Sequence, residues 1–443
     1  MTDLLKTCKD ALHAAGTGAD IEAYATTTVH RSVRIERNDI HLASSEESSG
    51  IGIRTFLEKA VGFASTNSLE PAEVSRAAGD ALAIARASHP DDANVLPEKT
   101  AIAEIPGLHD PAVSEIGIGE VLEHASHLLS AARSFDGRVT LDHGGVTVYT
   151  THKAIANTNG VEASEISSAI VYYVMGMARD GDEVSAFDFE FDFQRTSEGV
   201  DVEKVGRELA RRLVATLGAT KGESFRGPVL FAPDALSGLL CSPVMFSANA
   251  ENVQKGRSRW AGRIGDKVAS AALTMTDNGL LEGGVASSAF DREGVGHREL
   301  AVIERGVLQG YMYDTRTALR DNTTSTGHAG GSTTGVPTIS PTNVTVLPGE
   351  MSKDEIIADM KEGLVLNRLS GGPNPVTGDF SGVVKGGFLV KNGAVEKPLT
   401  GTLIQGNIYE AMQRISAISK ETKRLFSYHL PYVRVEDLSI TSG

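Results

Sequence analysis

The sequence predicts an α+β fold, with an amino-terminal α/β half of mixed helices and hairpins and a carboxy-terminal half of mostly antiparallel β-sheet, barrel- or sandwich-like. Two observations predict it. Helical and strand periodicities alternate over the first 220 residues, and the rest of the 443-residue chain is richer in glycine and in short strand patterns. We therefore expect an amino-terminal domain over residues 1–220, divisible at about 1–95 and 110–220, and a carboxy-terminal domain over residues 221–443.

Four helices are predicted in the amino-terminal half. The first ten residues are charged and helix-like, and Pro71 suits the first turn of a helix that runs to Ser88. Apolar residues recur at helical spacing from Ile118 to Ala132, which is the clearest helical pattern of the chain. A fourth amphipathic pattern, from Val202 to Leu217, closes this half.

Strand patterns lie between these helices. Val33 and Ile35 fit a short alternating strand, and residues 50–67 fit a hairpin that turns at Glu58-Lys59. From Phe187 to Gln194 phenylalanine alternates with acidic residues and glutamine, so we expect one buried and one wet face. Two further hairpin turns are predicted, at Asn159-Gly160 and at residues 180–182.

Turn signals dominate the carboxy-terminal half. Hairpins are predicted at residues 304–306 and 391–393, where Arg-Gly and Asn-Gly follow strand patterns. Ser352 and Glu355 form a capping box that opens a helix over residues 352–361. Apolar periodicity predicts another helix over residues 408–418, and a closing strand follows at residues 432–440.

Charge and composition exclude several classes of partner. Lys and Arg number 42 against 57 Asp and Glu, which gives a formal net charge of −15. Because DNA, RNA and anionic membranes need a basic surface, we expect no nucleic acid and no membrane as partner. The only cysteines are Cys8 and Cys241, and no apolar run approaches the roughly 18 residues of a membrane helix. These features favour a cytoplasmic protein without disulfides or a signal peptide.

Glycine- and proline-containing motifs of the second half follow one another in a set order. An apolar strand at residues 228–232 precedes further motifs at residues 256–260, 265–270, 290–295, 306–315 and 326–331. Residues 374–382 read Asn-Pro-Val-Thr-Gly-Asp-Phe-Ser-Gly, and two more motifs follow at 387–393 and 398–412. This order resembles the TldD/TldE (PmbA) family of two-subunit metalloproteases, and the later motifs resemble its TldE branch.

The resemblance also shows which positions would hold metal. In the TldD branch a His-Glu-x-x-x-His motif follows the apolar strand, and counting back from Gly265 places it on Cys241, Ser242 and Phe246. A lone thiol, a hydroxyl and a phenyl ring do not make a zinc site, which needs about three nitrogen, oxygen or sulfur ligands. We therefore expect no catalytic residue, metal or cofactor in this chain. Pro243 predicts a kink or an end of the helix near Ser242.

The resemblance implies a non-catalytic, TldE-like subunit that pairs with a TldD-like, zinc-bearing catalytic subunit. The substrates would be small or unfolded peptides. The family's older name, modulator of DNA gyrase, does not imply DNA binding for so acidic a chain. Two alternatives stay open: a homodimeric peptidase that uses Cys241 as nucleophile, and a peptide-binding or regulatory module that acts without any protease.

Several glycine-rich and basic motifs are candidates for peptide or partner contacts. Gly330-Gly331 and Gly371-Gly372 either face a peptide cleft or the partner, or serve as tight turns. Arg257, Arg259 and Trp260 belong to a basic-aromatic cluster that either binds carboxylates or forms a solvated loop with Trp260 packed inward. His124 and His127 lie off the apolar stripe of their helix, which favours a solvated face over a metal pair.

Overall fold

A computed structural model of the protein describes residues 3–14 and 18–442. Its first sheet has seven strands, which are β1 Asp20–Glu36, β2 Asp39–Leu57, β3 Ala60–Thr66, β4 Val139–Asn157, β5 Glu162–Asp180, β6 Glu183–Val184 and β7 Asp188–Gln194. The strand order is β3-β2-β1-β4-β5, and both β6 and β7 pair with β5. All pairings are antiparallel.

Among the described residues, five helices accompany this sheet: α1 Leu4–Ala14, α2 Pro71–Ala87, α3 Pro111–Glu115, α4 Ile118–Phe135 and α5 Val202–Ala215. They cover it in two groups with separate apolar cores. Helices α1 and α2 share one core with residues 21–25 of β1 and residues 51–53 of β2. Helices α4 and α5 share the other core with β4 and β5. Gly206 of α5 allows the second pair to approach closely, because a Cβ there would lie 2.6 Å from the Leu128 carbonyl oxygen.

The carboxy-terminal half holds the remaining strands and helices. Its strands are β8 Thr220–Lys221, β9 Phe225–Phe231, β10 Met275–Asn278, β11 Glu299–Glu304, β12 Val307–Leu308, β13 Ala329–Gly330, β14 Thr338–Ile339, β15 Val344–Val346, β16 Glu362–Pro373, β17 Asp379–Lys391, β18 Ala394–Thr400, β19 Thr402–Asn407, β20 Ile415–Leu425 and β21 Tyr428–Ser442. Its helices are α6 Pro233–Leu236, α7 Ser242–Ala248, α8 Ala250–Gln254, α9 Thr315–Arg320, α10 Lys353–Ala358 and α11 Ile408–Gln413.

Five of these strands close into a barrel. The ring runs β9-β16-β17-β19-β21 and returns to β9, with only the β9–β16 pair parallel. Successive side chains along each strand point alternately to the inside and to the outside of the barrel. Val229 and Leu364 belong to the main carboxy-terminal core, whereas Leu230 and Val365 join a smaller outer cluster beneath α10. The predicted α+β class, with a mostly antiparallel barrel in the second half, is confirmed.

The predicted hairpin turns are confirmed where both central residues adopt positive φ. These pairs are Glu58-Lys59, Arg305-Gly306 and Asn392-Gly393, as expected of tight turns that match strand twist. The Ser352…Glu355 capping box is also present, although its helix ends at Ala358 rather than at residue 361. The short strand predicted around Val33 is wrong in length, since β1 and β2 form a ribbon of 17 and 19 residues.

The prediction of a wet face on the Phe187–Gln194 strand is wrong. Asp188 and Glu190 are only 9% and 5% exposed, whereas Phe187 is 37% exposed. Arg212 of α5 covers the acidic face, and its guanidinium nitrogens lie 3.0 Å from a carboxylate oxygen of Asp188 and of Glu190. Alternation identified the two faces, but another element covers the charged one.

The helix predicted over residues 408–418 is wrong in its second half. Helix α11 ends at Gln413, and the chain continues as β20. Ile415 pairs with Val435 and Ile418 with Val433 on β21, so β-branched residues join the sheet instead of extending the helix. Among the described helices, none is long and apolar enough to span a bilayer.

Candidate functional site

An irregular helical segment follows barrel strand β9. It carries Cys241, Ser242 and Phe246, the residues that the sequence resemblance places at the zinc motif of the TldD branch. Pro233 begins α6, where its missing N–H is harmless, and residues 237–241 form one π-helical turn. The Ser242 amide donates to the Ser237 carbonyl, five residues back, and α7 begins with Pro243 in its first turn. The expected kink near Ser242 is therefore a change of hydrogen-bond register within a continuing helix.

The three compared positions lie in different environments. Cys241 is fully buried in the main apolar core, and this burial raises the pKa of its thiol far above the ordinary value. Ser242 is exposed at the start of α7, and Phe246 is half-buried. A neutral thiol, a hydroxyl and a phenyl ring do not fit a zinc ion. Over residues 3–14 and 18–442, no three His, Cys, Asp or Glu side chains converge as a metal-binding group.

The basic-aromatic loop after α8 packs by its aromatic residue and exposes its arginines. Trp260 is 2% exposed and meets the Tyr409 ring edge-on, with ring centroids 6.1 Å apart. The Arg259 guanidinium lies 5.2 Å from the Tyr409 ring centroid, and its Nη1 donates to the Thr377 carbonyl at 2.9 Å. Arg257 is exposed. The inward packing of Trp260 and the availability of the arginines therefore coexist.

The hairpin loop between β16 and β17 contacts this surface. Asn407 caps α11, and its Nδ2 donates to the Thr377 carbonyl at 2.8 Å and to Asp379 Oδ1 at 2.9 Å. The Tyr409 hydroxyl donates to the Pro375 carbonyl, so the Ser247 hydroxyl donates to Tyr409 Oη at 2.6 Å. Arg259 and Thr377, which are 118 residues apart in sequence, therefore belong to one surface.

A glycine is required at the centre of this surface. Gly378 has a φ of +84°, and a Cβ there would lie 2.3 Å from Tyr409 Cδ2. A side chain at this position would therefore separate the hairpin loop from Tyr409. We name the group formed by Arg257, Arg259, Trp260, residues 374–379, Asn407 and Tyr409 the arginine–tyrosine surface.

The four glycines singled out in the sequence divide between two places. Gly371 and Gly372 are exposed at the end of β16, next to the arginine–tyrosine surface, and pair with Gly382 and Ser381. Gly330 instead ends β13, and Gly331 follows with a φ of +132°. The loop beyond Gly331 packs against the first sheet, because Thr333 lies against Gly50 and Gly52 of β2.

Sequence reasoning missed a buried chain of polar groups beside β10. His328 Nε2 lies 3.1 Å from Asp277 Oδ1, and its Nδ1 lies 2.8 Å from Thr326 Oγ1. The Thr342 amide donates to the second Asp277 oxygen at 2.8 Å. No local pattern links His328 to its partner, because Asp277 is 51 residues away in the chain. All four side chains are buried, and the network anchors the loop that carries Gly330.

A second missed group joins the first sheet to the carboxy-terminal half, and we name it the Glu22 ion cluster. Arg54 Nε donates to Glu22 at 3.0 Å, Arg292 Nη1 donates to Glu22 at 2.9 Å, and Arg54 Nη2 donates to Glu293 at 3.0 Å. Arg292 also lies 4.1 Å above the Tyr24 ring centroid. Burial acts to raise the pKa of Glu22, but Arg54 and Arg292 outweigh it and hold that pKa below its ordinary value.

Comparison with known proteins agrees with this architecture. Three domain models described as PmbA/TldA metallopeptidase match the chain: domain 1 over residues 21–85, the central domain over residues 111–217, and the C-terminal domain over residues 224–442. Metalloprotease PmbA of Escherichia coli O157:H7 is 25% identical over 427 residues, which cover 95% of this chain and 91% of that protein.

Two solved structures share the fold over nearly the whole chain. TldE from Thermococcus kodakarensis matches with a TM-score of 0.88 at 24% identity, covering 99% of both chains. A Thermotoga maritima protein named for modulation of a DNA gyrase matches with a TM-score of 0.87 at 25% identity, covering 98% of this chain and 100% of that one. Together with the three domain matches, these likenesses show that the chain belongs to the PmbA/TldD family of metallopeptidases.

Proposed function

We propose that this chain is the non-catalytic, TldE-like subunit of a TldD/TldE-type metalloprotease that degrades small or unfolded peptides. In this assignment a TldD-like subunit holds the zinc and performs the hydrolysis. The chain itself supplies part of the enclosure around the substrate. With two free, buried cysteines, it is suited to a reducing cytoplasm.

The chemical character of residues 241–246 carries the proposal. A metal-bound cysteine has to be a thiolate, and Cys241 sits in an apolar core that favours the neutral thiol. Ser242 is exposed and is a poor replacement for a general base. Phe246 has no lone pair to offer. The same burial opposes the homodimeric-peptidase alternative, because a nucleophilic thiol needs access to substrate and a lowered pKa.

The arginine–tyrosine surface supports a role in contacting peptide or partner. It combines exposed guanidinium groups with an aromatic ring and with a hairpin loop whose backbone is held by side-chain hydrogen bonds. Arginines on such a support are suited to bidentate contacts with carboxylates, either of an acidic partner surface or of a peptide. A preformed surface of this kind loses little entropy on binding.

Co-purification with a TldD-like paralogue tests the assignment. We expect this chain alone to carry no stoichiometric zinc and to leave an unfolded test protein such as reduced casein uncut. A mixture of this chain and the TldD-like paralogue should form a complex, contain zinc and cleave the casein. Zinc by elemental analysis, complex size by light scattering and cleavage by gel are measured on each chain and on the mixture.

A matched pair of variants separates subunit contact from general damage. Arg259→Ala should weaken complex formation at least tenfold, whereas Arg298→Ala, at an exposed arginine elsewhere, should leave it unchanged. About one tightly held zinc per chain without the partner, or casein cleavage by this chain alone that is lost in Cys241→Ala, would overturn the proposal. Folding of Cys241→Ala is verified by circular dichroism.

A further inference from the structure

A cavity of about 600 Å³ lies between α5 and the outer face of the carboxy-terminal barrel. Residues of β7 and α5 form one wall, and residues of α10, β16, β17, β20 and β21 form the other. None of the residues of the arginine–tyrosine surface lines the cavity, and Cys241, Ser242 and Phe246 do not line it either. Its volume is within the range of small-molecule sites, which often lie at domain interfaces.

The floor of the cavity is apolar and partly aromatic. Ile357 and Val365 are buried members of the outer barrel cluster, and the rings of Phe388 and Tyr432 pack against that cluster while remaining half-buried. Solvent therefore reaches two aromatic rings inside a concave site. An apolar group of a ligand would remove them from water, which is favourable by about 25 cal/mol per Å² of buried area.

The acidic side chains deep in the cavity are already neutralised. Lys423 Nζ lies 2.9 Å from Glu190 and 3.2 Å from Asp234. Arg212 also binds Glu190 at 3.0 Å. These contacts leave no uncompensated negative charge at this end, so the acidic groups do not select a cationic ligand.

The rim carries the excess of positive charge. Six Lys and Arg line the cavity against five Asp and Glu, in a chain whose overall formal charge is −15. Within the described part of the chain, no carboxylate oxygen lies within 4.0 Å of the ammonium nitrogen of Lys204 or Lys353, although Asp201 and Glu421 accept hydrogen bonds from the backbone amides of these two residues. Lys353 Nζ instead lies 5.3 Å from the Tyr432 ring centroid, so a free cation stands directly beside the aromatic floor.

We propose that this cavity binds a small organic carboxylate that carries an apolar or aromatic group. The carboxylate pairs with Lys353 at the rim, with Lys204 as a second cation, and the apolar group packs on Phe388 and Tyr432. A free aromatic acid and the carboxyl-terminal residue of a peptide share this chemistry. The inference does not depend on the proposed subunit role, since the cavity lies within one chain.

Titration calorimetry on the full chain tests the site with N-acetylphenylalanine and its neutral amide. We expect a Kd on the order of 0.5 mM for the acid, from the usual affinity per ligand atom, and at least tenfold weaker binding of the amide. N-acetylglycine, which lacks the ring, should also bind at least tenfold more weakly. Acetyl-Ala-Ala-Phe distinguishes the sources: tighter binding than the single residue assigns a peptide end, and weaker binding assigns a free acid.

Variants assign the contacts. Lys353→Met keeps the length of the side chain and removes its charge. It should therefore weaken binding of the acid at least tenfold and leave the affinity for the amide unchanged. Lys204→Met should act in the same direction. Lys420→Met, at an exposed lysine of β20 outside the cavity, is the matched control and should have no effect. Equal affinities for acid and amide, an unchanged affinity in Lys353→Met, or no binding of either probe at 10 mM, on the order of twenty times the expected Kd, would refute the proposal.

Discussion

Replacing Glu22 by glutamine removes the central carboxylate of the Glu22 ion cluster while preserving volume. Glu22 is fully buried. Among the described residues, it is the only carboxylate that pairs with Arg292, whereas Arg54 also pairs with Glu293 and would keep that partner in the variant. Removing one member of a buried ion pair leaves an uncompensated charge and costs about 3–5 kcal/mol. We therefore expect Glu22→Gln to lower the free energy of unfolding by about that amount.

The single tryptophan, Trp260, allows unfolding in urea to be followed by fluorescence in one half of the protein. Trp260 is buried in the carboxy-terminal half, so its fluorescence reports unfolding of that half, whereas Glu22 lies on β1 of the first sheet. Because the cluster joins the two, the midpoint seen by Trp260 should fall by on the order of 1 M urea. Asp10→Asn, in the exposed Lys6–Asp10 pair, is the control and should leave the midpoint unchanged.

The pH dependence gives a second readout. The folded-state pKa of Glu22 lies below its ordinary value of 4.5, so its contribution is complete above 4.5 and is lost as the pH falls through the lowered value. The gap between wild type and Glu22→Gln should therefore stay constant from neutral pH to 4.5 and narrow below it. A midpoint of the variant within 0.2 M of wild type, a small part of the order-of-magnitude 1 M shift, would refute the coupling between the halves.

Three further predictions follow from the site. Gly378→Ala should cost about 1–3 kcal/mol, because of its positive φ and the contact with Tyr409, whereas Gly372→Ala has open space around its Cβ and should be neutral; both are measured by urea unfolding. A thiol reagent such as DTNB should leave native Cys8 and Cys241 unmodified and titrate both in urea, since burial raises both thiol pKa values, that of Cys8 to about 12; rapid native reaction would contradict the buried placement. Tyr409→Phe should cost about 1 kcal/mol, because the Ser247 hydroxyl and the Pro375 carbonyl lose their partner, and a midpoint equal to wild type would show that water replaces it.

Local signals in the sequence were sufficient for much of the fold. Turns that need two positive φ values, such as Glu58-Lys59 and Asn392-Gly393, were found from a few residues, because turn conformation is decided locally. Amphipathic helices α4 and α5 were found from spacing alone. The family resemblance was carried by the order of short motifs, and the domain matches confirm it.

Features that depend on distant partners could not be found in this way. Asp188 and Glu190 resemble solvent-facing strand residues until Arg212 and Lys423 cover them. Ile415 continues a helical pattern, yet pairing with β21 draws it into a sheet. The contact between Glu22 and Arg292 in the Glu22 ion cluster joins residues 270 positions apart, and no short pattern indicates such a contact.

Ring closure of the five barrel strands has a consequence for misassembly. Each strand of the ring has a neighbour on both sides, so the ring offers no open row of amides and carbonyls to which another molecule could add a strand. The open edges lie outside the ring. The strand order of the first sheet ends at β3, which has seven residues, whereas the carboxy-terminal sheet ends at β8 and β12, which have only two residues each. During refolding at high concentration, edge-to-edge aggregation should therefore start from the amino-terminal sheet. A charged residue or a proline introduced along β3 should suppress it.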